Sequence, residues 1–185
     1  MKNTERCSWV NLQNEKYVAY HDLEWGNPIY DDKALYELLI LESFQAGLSW
    51  ECILNKRENF REAFDHFDIE KVILYDEKKI QELMHNQGIV RHLLKIKAAI
   101  RNSVIFKTIQ KEFGSFSKYI WSFTDGKVIK EEFTLRTTSP LSDMISKDLK
   151  KRGMTFVGST IVYSYLQAIG VINGHSQTCS FYLKD

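Results

Sequence analysis

The sequence is poor in the residues that break or staple a fold. Two prolines, Pro28 and Pro140, punctuate 185 residues, and most segments repeat apolar residues at a period near 3.6 rather than 2, so an all-α chain with very little sheet is expected. Three cysteines, Cys7, Cys52 and Cys179, are too few and odd in number for a disulfide framework, which leaves free thiols or metal ligands. No run of about 18 uncharged apolar residues occurs, and "MKNTERCSWVNLQNEKY" has no apolar leader segment; no membrane span and a soluble, cytoplasmic protein are expected. Charge of one sign is missing as well. With 25 Lys and Arg against 24 Asp and Glu, there is no whole-molecule field to attract nucleic acid, so a DNA-binding surface must be a local patch.

What the sequence does hold is enough for one core. An apolar fraction of 44% suits a single domain over residues 1–185, with no internal repeat, low-complexity segment or linker. Asp31 or Asp32 can cap a helix that reaches about residue 46 and ends at Gly47, and Ser49 can cap the next, which carries Trp50, Ile53, Leu54, Phe60 and Phe64 inward. Short helices follow Asp68 and Asp76, the second ending near "NQG" at 86–88. A long helix runs from Ile89 to Phe113, where Gly114 breaks it. Ser115 or Ser117 opens "KYIWSF", "TDGK" at 124–127 reads as a turn, and 128–140 has weak periodicity. Ser142 and Asp143 open a helix ending in "LKKRG", and "TIVYSYLQAIGVI" from Thr160 is the last apolar helix.

"LLILESFQAGLSW", residues 38–50, stands out in this scheme. Leu35, Leu38, Leu39 and Ala46 share one helical face, and Glu42 takes the i+7 slot of that face, where an unpaired carboxylate is costly. Trp9, Tyr17, Tyr20, Trp25 and Trp50 are either core residues or ring faces that stack on a flat, cationic ligand.

Two further groups admit a chemical and a plain reading. Cys7 and His21 near one end and His175-x-x-x-Cys179 near the other would close a tetrahedral zinc site that ties the two ends together, with no open position for activated water; simply buried cysteines are the alternative. His66, His85 and His92 suit surface or helix-terminal positions, and Cys52 a small core residue. In "LKKRGMTFVGSTIVYSYLQA", residues 149–168, Gly153 and Gly158 flank a short hairpin between two helices. Glycines let a backbone approach a ligand, the N–H groups at a helix start favour phosphate, and Lys150, Lys151 and Arg152 add sequence-independent attraction. An ordinary turn with solvated lysines fits the same residues. Lys56, Arg57, Arg91, Lys95 and Lys97 either join such a patch or solubilise their helices.

Together, "ERCSWV", "YVAYHDLEWG", "LESFQAGLSW", "LKKRGMTFVGSTI" and the terminal His175 and Cys179, in that order over nearly the whole chain, resemble the type I 3-methyladenine DNA glycosylases. The resemblance implies an all-α, helix-hairpin-helix DNA glycosylase-like domain with a cleft, and one structural zinc ion on Cys7, His21, His175 and Cys179 joining the N- and C-terminal segments. It implies that the backbone from Gly153 to Thr160, with Gly158 and Ser159 in it and Lys151 before it, grips DNA phosphates. Glu42, Trp9, Tyr17, Tyr20 and Trp50 would form the base pocket, with Glu42 as the acidic group. Leu48, after Gly47, falls where the family fills the gap a flipped nucleotide leaves in the duplex. Met154 replaces an expected aromatic, and the tail "CSFYLKD" is shorter than usual.

The activity implied is monofunctional hydrolysis of the N-glycosidic bond of 3-methyladenine in double-stranded alkylated DNA, with free 3-methyladenine and an abasic site as products, by a monomer. Beyond Thr160 there is no acidic residue before Asp185 and no lysine before Lys184, so neither a strong general base nor the amine nucleophile of a lyase follows the hairpin. A module that reads alkylated bases without cleaving them would keep the pocket but lack its acidic group. A zinc deaminase would need an open metal site with His-x-Glu and Pro-Cys-x-x-Cys, which this sequence does not contain.

Overall fold

The structure, a computed structural model, describes residues 4–131 and 136–182. The expected domain over residues 1–185 extends beyond these limits, as do Lys184, Asp185 and part of the weakly periodic stretch at 128–140. Ten helices occur among the described residues: α1 Glu15–Leu23, α2 Asp32–Gln45, α3 Trp50–Asn55, α4 Arg57–Ala63, α5 Ile69–Val72, α6 Glu77–His85, α7 Leu93–Phe113, α8 Phe116–Ser122, α9 Pro140–Lys151 and α10 Ser159–Ala168. Two short strands, β1 Ile129–Lys130 and β2 Ile172–Asn173, pair in parallel with Ile129 opposite Ile172. The chain is therefore mostly helical with very little sheet, and no helix among the described residues is long and apolar enough to cross a membrane.

Helix α2 is the axis of the fold, packed against α3, α7, α8 and α10. Every residue from Leu35 to Phe44 is buried, so α2 has no solvent face over that span, and the one-sided stripe read from the sequence is only part of its surface. A helix apolar nearly all round belongs in the interior. Asp31 caps it, accepting from the Ala34 N–H at 2.8 Å. Asp32 reaches across instead to the start of α8, where its carboxylate accepts from the N–H groups of Phe116 and Ser117 at 2.9 and 2.8 Å. At the other end, the buried Lys95 ammonium on α7 donates to the carbonyls of Phe44 and Ala46 at 2.8 and 2.6 Å. These are helix-terminal acceptors with no partner of their own, at the negative end of the dipole.

Several boundaries differ from the sequence reading, each for a local reason. The helix expected from Ser49 through Phe64 is divided at Lys56 (φ −98°, ψ 0°), which is both the C-cap of α3 and the N-cap of α4. Helix α7 begins at Leu93 rather than Ile89, because His92 is its extended N-cap. Helix α9 begins at Pro140 with Ser139 as N-cap, and Ser142 is the reciprocal partner of a capping box rather than the cap. Helix α10 ends at Ala168; at Gly170 the chain turns left-handed (φ +72°) so close to Asn27 and Pro28 that a Cβ would sit 2.2 Å from the Asn27 carbonyl carbon. "GVI" then leads into β2. Cys52 is half-buried, not a core residue, whereas His66, His85 and His92 are exposed as expected.

Candidate functional site

Two carboxylates of α2 are buried, and their surroundings differ. Glu37 is held by Arg57 Nε at 2.6 Å and Arg61 Nη2 at 2.8 Å. Glu42, 3% exposed, forms no ion pair among the described residues, and its Oε2 has no hydrogen-bond partner among them. Burial pushes its carboxyl up to about 8. An ionisable group left unpaired inside a fold is costly and marks a site rather than a scaffold.

Glu42 opens on a cavity of about 230 Å³ walled by Trp9, Tyr17, Tyr20, Trp25 and Trp50. Trp9 meets Tyr17 with ring centroids 5.4 Å apart and Trp25 at 4.8 Å, and Tyr20 meets Trp50 at 5.2 Å. The indole Nε1 of Trp50 is also buried without a partner. Ring faces, an orphaned acceptor and an orphaned donor in one concavity suit a flat, cationic heteroaromatic ligand. All five residues expected at the pocket, Glu42, Trp9, Tyr17, Tyr20 and Trp50, therefore line one cavity. Sequence reasoning missed Gln45, Arg136, Ser164 and Gln167, which line it too. Ser164 and Gln167 carried a signal, as polar residues at i and i+3 in an otherwise apolar helix; Arg136, in the weakly periodic stretch, carried none.

The two ends of the described chain meet beside the cavity. Cys7, His21, His175 and Cys179 are all buried, and their ligand atoms lie within 4.8 Å of one another, a group able to hold a metal ion. Cys179 Sγ lies 3.6 Å from His21 Nε2 and 3.5 Å from His175 Nδ1, and Cys7 Sγ lies 3.6 Å from His175 Nδ1. The outer ring nitrogens are also held: His21 Nδ1 is 2.8 Å from Asp22, itself clamped by Arg6, and His175 Nε2 is 3.2 Å from the Trp25 carbonyl. Such partners fix the ring orientation of metal-binding histidines. Although burial raises the Cys7 thiol, hydrogen bonds to His175 and His21 and the Ser176 N–H outweigh it and bring it down to about 5, which favours the thiolate a metal needs. This cluster also supports the cavity wall, because Trp9 packs edge-on to His21 at 5.3 Å and Trp25 to His175 at 4.6 Å.

A third group lies on α7 and its neighbours. Gly47 turns left-handed (φ +78°) and presents Leu48, 39% exposed; Gln45 fixes this loop by donating its amide to the Leu48 carbonyl at 2.6 Å and accepting the Leu48 N–H at 2.7 Å on its own carbonyl. In the hairpin, Gly153 is left-handed (φ +102°), and Met154 is buried, so the departure from an aromatic there is absorbed by the core. Helix α10 starts at Gly158 with no side-chain cap, which leaves its first N–H groups available to an anion. The Ser159 hydroxyl is turned inward to Asp143 and Ser142, so only its backbone can serve there, while Thr160 and Lys151 are exposed.

The basic residues sort differently from expectation. Arg152 is tied to Asp148 at 2.7 Å and Glu112 at 2.6 Å, Arg57 to Glu24 and Glu37, and Lys95 is buried as the cap of α2. Lys56 donates to the carbonyls of Gln87 and Gly88. These four do not form a patch.

Asn102 holds the hairpin to α7 in both directions, donating to the Thr155 carbonyl at 2.9 Å and accepting the Thr155 N–H at 3.0 Å. Lys95 and Asn102 stand about 10 Å apart along α7, so this helix sets the spacing between the Leu48 loop and the hairpin. Asn102→Ala removes both bonds and leaves two hairpin groups without partners, an expected loss of about 2 kcal/mol. The urea-unfolding midpoint checks it, and an unchanged midpoint would mean the hairpin is held by other contacts.

Comparison with known proteins agrees with the geometry. The methyladenine glycosylase family matches residues 9–182. The chain is 43% identical over 182 residues to the DNA-3-methyladenine glycosylase 1 of Escherichia coli (strain K12), covering 96% of this chain and 97% of that protein. It is similar to a crystal structure of a 3-methyladenine DNA glycosylase I, with a TM-score of 0.93 and 42% identity over 97% of this chain and 100% of that one. It is also similar to a variant 3-methyladenine DNA glycosylase I in complex with 3-methyladenine, with a TM-score of 0.92 and 37% identity over 97% and 98% of the two chains. On sequence, fold and extent of match, the chain belongs to the methyladenine glycosylase family.

Proposed function

We propose that this protein is a monofunctional DNA glycosylase that hydrolyses the N-glycosidic bond of 3-methyladenine in alkylated double-stranded DNA, releasing the free base and leaving an abasic site. The observation that carries the reading is the buried, unpartnered carboxylate of Glu42 in an aromatic cavity. The relatives support it, one by the name of its activity and one by the 3-methyladenine it holds.

Methylation at N3 places a positive charge on adenine, and the glycosidic bonding pair neutralises that charge as the base departs, so the substrate brings its own activation. The protein has to choose the base and hold it. Cation–π attraction to the rings contributes about 0.5 to 2 kcal/mol, and pairing with the Glu42 carboxylate adds a charge-assisted hydrogen bond; neutral adenine forfeits both. Burial raises the Glu42 carboxyl to about 8 in the free protein, and a cation brought beside it favours the carboxylate again. The absence of an acidic residue from Thr160 to Lys184 supports selection over strong general-base catalysis.

A flipped nucleotide leaves a gap in the stack, which Leu48 on its fixed loop is suited to fill. The uncapped start of α10 with Gly153, Gly158, Ser159 and Thr160, and Lys151 before it, would hold backbone phosphates. Zinc suits the four-residue cluster. Bonds of about 2.3 Å to sulfur and about 2.0 Å to nitrogen at tetrahedral angles separate the two kinds of ligand by about 3.5 Å, and the sulfur–nitrogen distances here are 3.5 to 3.6 Å. With four protein ligands the ion has no open position, so its role is to tie the chain ends together behind the pocket. The reading is of one domain over residues 1–185 acting as a monomer.

The test is to incubate the protein with methylated duplex DNA and count released base by chromatography. Release of 3-methyladenine is expected. Binding without release would favour a reader of alkylated bases, and a base altered but still attached to its sugar would favour a deaminase; either overturns the proposal.

A further inference from the structure

We propose that Arg101, on the exposed side of α7, supplies a cationic contact to the DNA backbone beside the hairpin, in the role that Arg152 suggested in sequence. The inference rests on the reading of the protein as a DNA glycosylase. Arg152 is committed within the fold. Its guanidinium bonds Glu112 and Asp148 and lies over the rings of Phe113 and Tyr119 at 5.4 and 5.3 Å, so reaching a phosphate would break two ion pairs.

Arg101 stands where Arg152 does not. A Cβ at Gly153 would lie 3.0 Å from Arg101 Nη2, which sets the guanidinium directly against the first glycine of the hairpin. Arg101 is exposed and has no hydrogen-bond or ion-pair partner among the described residues. Its backbone is held near the hairpin by its neighbour, because Asn102 bonds both backbone groups of Thr155. A phosphate drawn to the hairpin and the N–H groups of α10 would meet an unpaired planar fork whose geometry matches two phosphate oxygens. Glycine at 153 suits the left-handed backbone there (φ +102°).

The test compares Arg101→Ala and Arg101→Lys with the parent, using a fluorescein-labelled duplex carrying a central tetrahydrofuran abasic site at salt from about 50 to 200 mM. Arg101→Ala is expected to weaken binding about five- to tenfold near 0.1 M salt and to lower the slope of log K against log salt by about one. Arg101→Lys should recover the slope but not all of the affinity, since an ammonium lacks the fork. The thermal midpoint and the affinity for free 3-methyladenine, followed by tryptophan quenching, should stay at parent values. Parent-like affinity and slope in Arg101→Ala would overturn the inference. A parent that binds the duplex through Arg101 but releases no base would overturn the glycosylase reading and leave the contact standing.

Discussion

If the cluster of Cys7, His21, His175 and Cys179 holds zinc as proposed, replacing Cys179 with serine is expected to remove the ion and much of the protein's stability in one step. A hydroxyl is a poor replacement for a thiolate, and three remaining ligands leave the ion open to water and exchange. Apparent binding energies of structural zinc in small peptides reach about 10 to 16 kcal/mol, comparable with the whole stability of about 5 to 15 kcal/mol of an ordinary domain. Even a fraction of that loss would lower the melting temperature by tens of degrees. The substitution should also impair the base pocket, because the rings of Trp9 and Trp25 lean on His21 and His175 of the same cluster. Metal content after dialysis, melting temperature and 3-methyladenine affinity would therefore fall together. Normal metal content in the variant would remove Cys179 from the ligand set.

Glu42→Gln is expected to act in opposite directions on activity and stability. Excision of 3-methyladenine should fall about 10- to 100-fold, the worth of one charge-assisted hydrogen bond of about 1.5 to 3 kcal/mol, and discrimination against neutral bases should narrow. Stability should rise. The Glu42 carboxyl titrates near 8 in the fold against an ordinary value of 4.5, so between those values the folded state binds more protons than the unfolded chain. Stability therefore falls as pH rises through that window, by a few kcal/mol in all. Glutamine keeps the shape and removes the titration. Denaturation at about pH 5 and 8.5 should show a larger loss in the parent than in the variant. Equal pH dependence in the two, or undiminished base release by the variant, would refute the role given to Glu42.

The site was more legible in the sequence than the surface around it. Glu42 is legible as a carboxylate that interrupts an apolar helix, and its Oε2 is one of two buried side-chain atoms without a partner among the described residues. Cys7, His21, His175 and Cys179 were visible as ligand types at suitable spacing near the two ends, and they come together. Gly47, Gly153 and the capping residues Asp31, Ser49, Asp68, Asp76 and Ser115 were readable because turn and cap chemistry acts within a few residues. The capping box of Ser139 and Ser142 was readable in principle, as Ser-Pro is a start signal, but the weak periodicity before it hid the boundary.

What failed to read were pairings between distant parts of the chain. Glu37 and Glu42 are alike in sequence, five positions apart on one buried helix. Glu37 pairs with Arg57 and Arg61 from α4, whereas Glu42 forms no ion pair among the described residues and faces a cavity walled largely by rings. Arg152 looked like part of a DNA-binding patch, yet Glu112, 40 residues earlier, engages it, and Arg101 takes the exposed place instead. By itself the sequence determined most of the helices and several of their caps, since these follow from backbone preference and local side-chain chemistry, while the cluster and pocket residues were implied by the resemblance of their motifs to a known family. Only the tertiary structure decided which charges are neutralised and which are left to meet a ligand, because electrostatic pairing depends on distance in space, and the folded path of the chain sets that distance.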